Sequence, residues 1–578
     1  MRLVLTQFLR TLRERDEFDR LLPDLLLAMG YVPLAKPQTG VRQYGVDLAA
    51  VGIAEDGVEE LLLLVIKRGD IGRRDWDSGE PQAVRPSLNE VFDTYIPKFI
   101  APEHAGLRKR VILATTGDLK QEVEINWTSY KESKTSEAEF AFWGGDRVAD
   151  LIERHMLDQH LFVADDRTDL HKALALATES DYDFRDLSRL LLRQLGLNGE
   201  GSLNGSAEDT RTLLKTLRRV HLASQICAHW ARSEGDSRRA LWVCERALLW
   251  SWHRVLLVAE GERDSLYLAF GGLWQSYVDA ANHYVEVVQP HAMVRDGMAG
   301  YGREGSEIAL VLFEHLGLLA TIGLAAASMP PPEGEREKAA MRAQVEALAD
   351  IVAAMITNNA ALASPRLDRH VVDIVLALML LVISGRTEVA ADWLTELIRR
   401  LDYTFKTKRK FPIGTDSLED LVALDVDGES DEGLQERLMG ASWCLATLAA
   451  WAVLLGLRDG YKALAEGANS FYPKVCPQLW HPTPGWSSSW YFGSALEQGD
   501  TEAPIEIRDF ETMAGRMQAF LKIEKYKWQD ASPCARIGVF GVDLIACRHF
   551  QMPVPASLWY QLSLAGQQAT PQEEIKSS

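Results

Sequence analysis

The stretch GVDLAAVGIAEDGVEELLLLVIK, residues 45–67, determines how the N-terminal part of this chain folds. It contains two short apolar runs, residues 45–52 and 61–67, each bounded by glycine or charged residues. The acidic segment between them, residues 55–57, has the composition of a turn. We therefore expect two paired β-strands, which bring the start of the first run beside the end of the second.

Asp47 and Lys67 lie at the ends of these runs that converge in such a pair. The two side chains suit metal-assisted phosphodiester hydrolysis, because a carboxylate binds Mg²⁺ and a backbone carbonyl of the neighbouring strand can add a ligand. The lysine can polarise the attacking water or neutralise charge on the transition-state phosphate. The alternative is an ordinary pair of strand ends, with Asp47 capping a turn and Lys67 solvated.

The sequence around this stretch alternates between helical and strand-like patterns up to residue 165. Further strands are predicted at residues 110–115 and 140–143. Helices are predicted at residues 13–29, 86–99, from 119 onward, and at 146–155 with Asp146 as its N-cap. The order α-β-β-α-β-α-β-α predicts a small α/β sandwich. Beyond residue 165 nearly every segment has the pattern of an amphipathic or apolar helix.

Six segments in this region resemble, in order, the Mrr-like restriction-endonuclease domain, a branch of the PD-(D/E)xK nuclease superfamily. The resemblance covers the first quarter of the chain, and each segment is short. The matching residues are Glu17-Phe18-Asp19, Met29-Gly30-Tyr31, Gly45-Val46-Asp47-Leu48, Val65-Ile66-Lys67, Val111 to Gly117, and Phe142-Trp143-Gly144-Gly145-Asp146-Arg147-Val148-Ala149. The resemblance implies a restriction-endonuclease-like fold and metal-dependent cleavage of DNA.

The resemblance also assigns roles to individual residues. Asp47 would be the main ligand of Mg²⁺ or Mn²⁺, with the Ile66 carbonyl beside it, and Lys67 would be the catalytic lysine. Asp19 or its neighbour Glu17 would be the helix carboxylate that often lies near such a site.

One position departs from the family pattern. The acidic or amide residue expected two positions before the lysine is Val65, whose side chain cannot bind a metal. Either another carboxylate completes the site, with Asp19 and Glu17 as first candidates and Glu90 as the next, or the domain has lost catalysis. One carboxylate and one carbonyl alone make a poor Mg²⁺ site.

Two basic segments are candidates for contact with nucleic acid. Arg68, Arg73 and Arg74, with Trp76, follow Lys67 and can contact a phosphate backbone. The alternative is a solvated loop neutralised by its three aspartates, Asp70, Asp75 and Asp77. The second segment combines cations with aromatic rings, which suits single-stranded nucleic acid, although cations at a helix C-terminus explain part of it. Its residues are Arg399, Arg400, Tyr403, Phe405, Lys406, Lys408, Arg409, Lys410 and Phe411.

Composition limits the remaining possibilities. The 578 residues contain 62 Lys+Arg and 82 Asp+Glu, a net charge of −20, so any nucleic-acid site must be a local basic surface. The six cysteines are scattered singly, which favours reduced cytosolic thiols over zinc sites or disulfides. Apolar segments at residues 308–327, 371–384 and 440–457 are long enough to raise the question of membrane spans, but we expect buried core helices.

These observations predict a nuclease domain at residues 1–165, connecting helices at 166–209 and an α-helical regulatory or partner-binding region at 210–578. The predicted function is cleavage of DNA by a cytoplasmic Mg²⁺-dependent endonuclease, which by family analogy serves bacterial defence against phage. A protein partner or a second copy of the chain is expected to bind through the helical region. The alternatives are a catalytically inactive scaffold that binds nucleic acid or protein, and a nuclease acting on RNA.

Overall fold

The chain forms two compact units, which comprise Met1–Gly196 with Glu208–Val243, and Leu197–Ala207 with Cys244–Ser578. The first unit contains a mixed five-stranded sheet and the second is largely helical, so the predicted α/β-then-helical arrangement is confirmed at this level. The computed structural model describes residues 2–12, 18–34, 44–80, 82–156, 164–177, 179, 182–204, 209–298, 305–408, 412–415, 420–421, 437–471, 474–482, 488–494, 499–520, 522 and 527–569.

The sheet of the first unit has its strands in chain order, β1-β2-β3-β4-β5. They are β1 (Val32–Pro33), β2 (Leu48–Ile53), β3 (Glu59–Lys67), β4 (Arg108–Thr115) and β5 (Glu139–Trp143). The pairs β1·β2 and β2·β3 are antiparallel, whereas β3·β4 and β4·β5 are parallel. The four predicted strands are present. The edge strand β1 was not predicted, because two residues with a proline carry no periodic signal.

Helices cover the sheet, and β3 is consequently buried along almost its whole length. Leu61, Leu63 and Val65 belong to one apolar core together with residues of the helices on that side of the sheet. The helices of the first unit are α1 (Arg2–Thr11), α2 (Asp19–Ala28), α3 (Arg73–Trp76), α4 (Val84–Glu90), α5 (Ile96–Lys98), α6 (Gln121–Lys134), α7 (Gly145–His155), α8 (Ala164–Leu176), α9 (Arg185–Leu195) and α10 (Thr210–Ser233).

Two predicted helices differ in detail from the observed ones. The segment predicted as one helix at residues 86–99 consists of α4, a π-helical turn at Val91–Tyr95 and the short α5. The predicted N-cap role of Asp146 is wrong, since α7 begins at Gly145 and Gly144 is its extended N-cap residue. Asp146 lies instead in the first turn, where a carboxylate interacts favourably with the helix dipole and here accepts a hydrogen bond from Thr6 Oγ1 at 3.1 Å.

The second unit is built mainly from helices. The division between the units falls within α11 (Ser237–Leu256). The remaining helices are α12 (Asp264–Ala292), α13 (Gly305–Ala327), α14 (Glu335–Asn358), α15 (His370–Ile383), α16 (Thr387–Lys408), α17 (Trp443–Leu454), α18 (Arg458–Glu466), α19 (Phe510–Phe520), α20 (Trp528–Ala531), α21 (Pro533–Arg536), α22 (Gly541–His549) and α23 (Ala556–Ala569). Short strands form two small pairs, Ala441–Ser442 with Cys476–Pro477 and Leu479–Pro482 with Gly499–Glu502.

The three apolar segments identified in the sequence are α13, α15 and α17. Almost every residue of α15 and α17 is buried. By length and composition, Glu307–Ala327 in α13 is the one helix among the described residues that can span a membrane, and 78% of its most apolar window is buried inside the protein. Burial of this kind is what a core helix shows, as predicted.

Candidate active site

Strand pairing brings Asp47 to the end of β3, as the sequence predicts. The Asp47 amide donates a hydrogen bond to the Leu64 carbonyl at 2.9 Å. The Asp47 carboxylate accepts one from the Ile66 amide at 2.7 Å, and it therefore lies beside the residue that precedes Lys67. Asp47 thus caps the end of β3, in part as the purely structural alternative expects. A carboxylate has further lone pairs, so this bond leaves it able to bind a cation.

Lys67 is half-buried rather than simply solvated. Its Nζ atom donates a hydrogen bond to the Gln82 carbonyl at 2.8 Å and lies 3.4 Å from Ser87 Oγ on α4. Gly45 packs tightly against the same helix, because a Cβ atom at this position would lie 2.0 Å from the Ser87 carbonyl oxygen. This close approach and a φ of +78° explain the glycine before Val46-Asp47.

Val65, which stands where the family has an acidic or amide residue, is part of the apolar core. Its side chain is fully buried in the apolar core shared by β3, α4 and β4. Within the described residues, no group of three His, Cys, Asp or Glu side chains is placed to hold a metal ion. Asp47 and the backbone of Ile66 would fit Mg²⁺ only if substrate phosphate oxygens and water supplied the other ligands.

The candidate auxiliary carboxylates differ in position. Glu17 lies outside the described residues, and Asp19 is the first residue of α2. Glu90 lies on α4 three residues after Ser87, which places it on the same side of the helix as the serine that contacts Lys67. Of the described candidates, Glu90 is the one that lies on the helix that contacts Lys67.

The loop that follows Lys67 is held firmly in place. The Gly69 amide donates to Thr116 Oγ1 at 2.9 Å, and Thr115 Oγ1 donates to the Gly69 carbonyl at 2.5 Å. Ile71 exchanges backbone hydrogen bonds with the segment after β4, donating to Asp118 and accepting from Lys120. The basic loop is thus ordered before any ligand binds, which lowers the entropic cost of binding.

Within the described residues, the guanidinium groups of this loop have no carboxylate partner, whereas its aspartates do have partners; the Arg73 backbone amide donates to Glu122 Oε1 at 3.1 Å. Arg68, Arg73 and Arg74 are exposed, and their side chains form no ion pair with any other residue that the structure describes. Their predicted neutralisation is therefore not seen. The three aspartates bind elsewhere: Asp70 accepts from the Asp118 amide, Asp75 from the Gly72 amide and Asp77 from Arg85.

Trp76 does not extend the basic surface. The ring is 2% exposed and packs edge-on against Trp127 and Tyr130, with centroid distances of 6.2 and 6.1 Å. The expectation that Trp76 belongs to the exposed basic loop is wrong. Burying a large aromatic ring in the core stabilises the fold more than leaving the ring exposed to solvent.

The second basic segment, at the end of α16, is largely neutralised within its own helix. Arg399 and Arg400 both bind Glu396, at 2.6 and 2.5 Å, and Lys406 binds Asp402 at 2.7 Å. Phe405 is buried, while Tyr403 is 61% exposed. The side chain of Lys408 and all of Arg409, Lys410 and Phe411 lie outside the described residues. The described contacts therefore favour a helix end whose cations are paired within the helix over a surface that binds nucleic acid.

Sequence reasoning missed the groups that surround Lys67. Gln82 contributes a backbone carbonyl and therefore carries no side-chain signal, and Ser87 is a common residue for a helix. A stack of Tyr44 on Phe99 was also missed, because residues this far apart in sequence meet only through the fold.

No protein-family model, curated protein or solved structure gives a significant match to this chain. The likeness to restriction endonucleases rests on the residues quoted above.

Proposed function

We propose that the first unit is a metal-dependent nuclease that cleaves DNA. The observation that carries this proposal is the placement of Asp47 and Lys67 at the end of β3. The hydrogen-bonded loop that follows has arginine side chains that form no ion pair with the residues described. A carboxylate, a lysine and free cations at one edge of a sheet are the groups needed to bind a phosphodiester and stabilise charge on it.

Each residue has a distinct role in this proposal. Asp47 and the Ile66 carbonyl would hold Mg²⁺ or Mn²⁺, which would supply a Lewis acid and an activated water. Lys67, positioned by the Gln82 carbonyl and Ser87, neutralises charge that develops on the phosphate. Arg68, Arg73 and Arg74 bind neighbouring phosphates, and Glu90 or Asp19 is the auxiliary carboxylate.

The test is incubation of the purified chain with supercoiled plasmid and Mg²⁺ or Mn²⁺, alongside Asp47→Ala and Lys67→Ala. We expect nicked and linear products from the unaltered chain, and a loss of rate of about 100-fold or more in each variant. Glu132→Ala, an exposed carboxylate on α6, is the control and should cleave normally. Cleavage that persists in both variants would contradict the assigned roles.

A second candidate function is a nucleic-acid-binding scaffold that does not cleave. The burial of Val65 in the apolar core favours it, since no side chain there can complete a metal site. The scaffold predicts nucleic-acid binding without cleavage, and calorimetry showing no Mg²⁺ or Mn²⁺ binding. A panel of double-stranded DNA, single-stranded DNA and RNA then identifies the bound polymer.

The biological process that we propose for either activity is defence against foreign DNA in the cytoplasm. Expression in a bacterial host should reduce phage plating, and Lys67→Ala should restore it if cleavage is responsible. Unchanged plating with the unaltered chain would contradict this role. In this proposal the helical second unit binds the partner or signal that controls the nuclease.

A further inference from the structure

An aromatic stack lies beside the candidate active site. Tyr44 stacks on Phe99 with ring centroids 4.7 Å apart and an interplanar angle of 25°, and Phe99 stacks in turn on Tyr95 at 6.0 Å. Tyr95 is partly buried, which raises the pKa of its phenol. Phe99, by contrast, is 50% exposed, so half of a large apolar ring faces solvent.

A chain of contacts leads from this stack to Lys67. Tyr44 precedes Gly45, Gly45 packs against Ser87, and Ser87 Oγ lies 3.4 Å from Lys67 Nζ. Next to Phe99, the exposed Lys98 has no ion-pair partner among the residues described. The half-exposed ring of Phe99 thus follows an exposed lysine in the sequence, and contacts through Tyr44, Gly45 and Ser87 lead from it to Lys67.

The backbone at Tyr44 is strained. Its φ of +49° lies in the left-handed region, which a bulky aromatic residue rarely adopts. Strain of this kind persists where the surroundings hold the residue in place, and it concentrates at sites that bind ligands. Here it presents the Tyr44 ring to Phe99 at the start of the segment that carries Asp47.

We propose that a nucleobase of single-stranded nucleic acid packs on the exposed surface of the Tyr44–Phe99 stack, next to the phosphate held at Lys67. This inference rests on the proposed function and names its substrate class. Rings interleaved with cations suit single strands, because every base offers a stacking face that in a duplex is already covered by its neighbours. Single-stranded or locally opened DNA is therefore the preferred substrate.

The test measures fluorescence anisotropy of a labelled oligothymidylate and of a labelled duplex, in calcium to prevent cleavage. Phe99→Leu and Tyr44→Leu should weaken binding of the single strand about tenfold, with much less effect on the duplex. Phe99→Trp should retain the affinity, since it keeps a ring. Ile125→Ala, which removes an exposed apolar side chain from α6, is the control. Circular dichroism and melting temperature verify that each variant is folded.

A second readout reports stacking directly. An oligonucleotide containing 2-aminopurine should lose fluorescence on binding the unaltered chain and keep it on binding Phe99→Leu. Equal loss of single-strand and duplex affinity in Phe99→Leu, or no loss in either, overturns the inference. If the ring variants bind normally while Arg73→Gln/Arg74→Gln binds weakly, the inference fails and the proposed function stands. If the unaltered chain binds neither polymer, both fail.

Discussion

The two ends of the sheet in the first unit differ in how their charged side chains are paired. At the end where β3 begins, Glu60 is fully buried and accepts a hydrogen bond from Tyr31 Oη at 2.7 Å. Arg108 and Arg110 bind the other oxygen of the same carboxylate, at 2.9 and 3.3 Å. Further out, Asp56 binds Arg108 and Glu139 binds Arg110.

At the other end, where β3 finishes, the carboxylates have hydrogen-bond partners, but Lys67 and the arginines of the following loop form no ion pair within the described part of the chain. Lys67 is held only by neutral oxygens, and the arginines of the following loop have no acidic partner among the described residues. The ion pairs of the first end join neighbouring strands, whereas the second end is the one at which we propose that an anion binds. Each of the changes that follow alters one of these two ends. We call the end with Glu60 the paired end and the end with Lys67 the open end.

The largest expected effect is at the paired end. Glu60→Ala leaves Arg108 and Arg110 without their buried partner, which should lower the local free energy of unfolding by about 3–5 kcal/mol. Hydrogen exchange of peptides from β3 and β4, followed by mass spectrometry, measures this in the full chain.

The matched control is Glu139→Ala, which removes a carboxylate that is 52% exposed from the same network. It should cost less than about 1 kcal/mol, because solvent screens an exposed pair. Equal effects of the two variants would show that burial of Glu60 does not matter to stability.

The next effect is on binding at the open end. Arg73→Gln/Arg74→Gln should reduce nucleic-acid affinity roughly tenfold and lower the slope of log affinity against log salt by about 1.5, since two phosphate contacts are lost. Arg147→Gln/Arg154→Gln removes the same net charge from α7, where both arginines bind Asp150. If both pairs change the salt dependence equally, binding follows net charge and the loop has no special role.

A smaller effect concerns the order of the basic loop. Thr116→Val removes the acceptor of the Gly69 amide, and an unpaired amide costs about 1–2 kcal/mol locally. Faster hydrogen exchange at residues 69–71 should accompany about a twofold loss of nucleic-acid affinity, because the arginines are less well preorganised. Thr135→Val, at the exposed end of α6, should change neither quantity.

The smallest effect is a pH dependence at the paired end. The hydrogen bond from Arg108 lowers the pKa of Asp56 from 3.8 to about 2. The folded-state pKa is depressed, so the stabilisation is present above pH 3.8 and is lost as the pH falls toward 2. The stability difference between the unaltered chain and Asp56→Asn should therefore be larger at pH 6 than at pH 3. An unchanged difference would mean that the Asp56–Arg108 ion pair does not stabilise the folded state.

Local patterns were sufficient to predict much of the fold. The apolar runs of β2, β3, β4 and β5 are bounded by turn residues, and each formed a strand because burial of such runs dominates local energetics. They failed for β1, which is too short for periodicity, and for the first residue of α7. Gly145 begins that helix and packs so closely against the chain after β4 that a Cβ atom would lie 2.6 Å from the Thr116 carbonyl oxygen.

The candidate site divides in the same way. The pairing of β2 with β3 followed from the sequence, and with it the meeting of Asp47 and Ile66. The roles of Ser87 and the Gln82 carbonyl did not, because they arise where α4 packs on the sheet. Trp76 was misplaced because its sequence neighbours are polar, although its own ring lies in the core.

The sequence by itself determined the alternation of strands and helices, the burial of the apolar helices and the position of Asp47 and Lys67 at adjoining strand ends. These follow from periodicity and hydrophobic burial, which are properties of neighbouring residues. Only the tertiary structure decided which charges are satisfied. Glu60 binds two arginines, whereas the loop arginines form no ion pair within the part of the chain that the structure describes. Sequence cannot predict this, because ion pairing depends on distances between residues far apart in the chain.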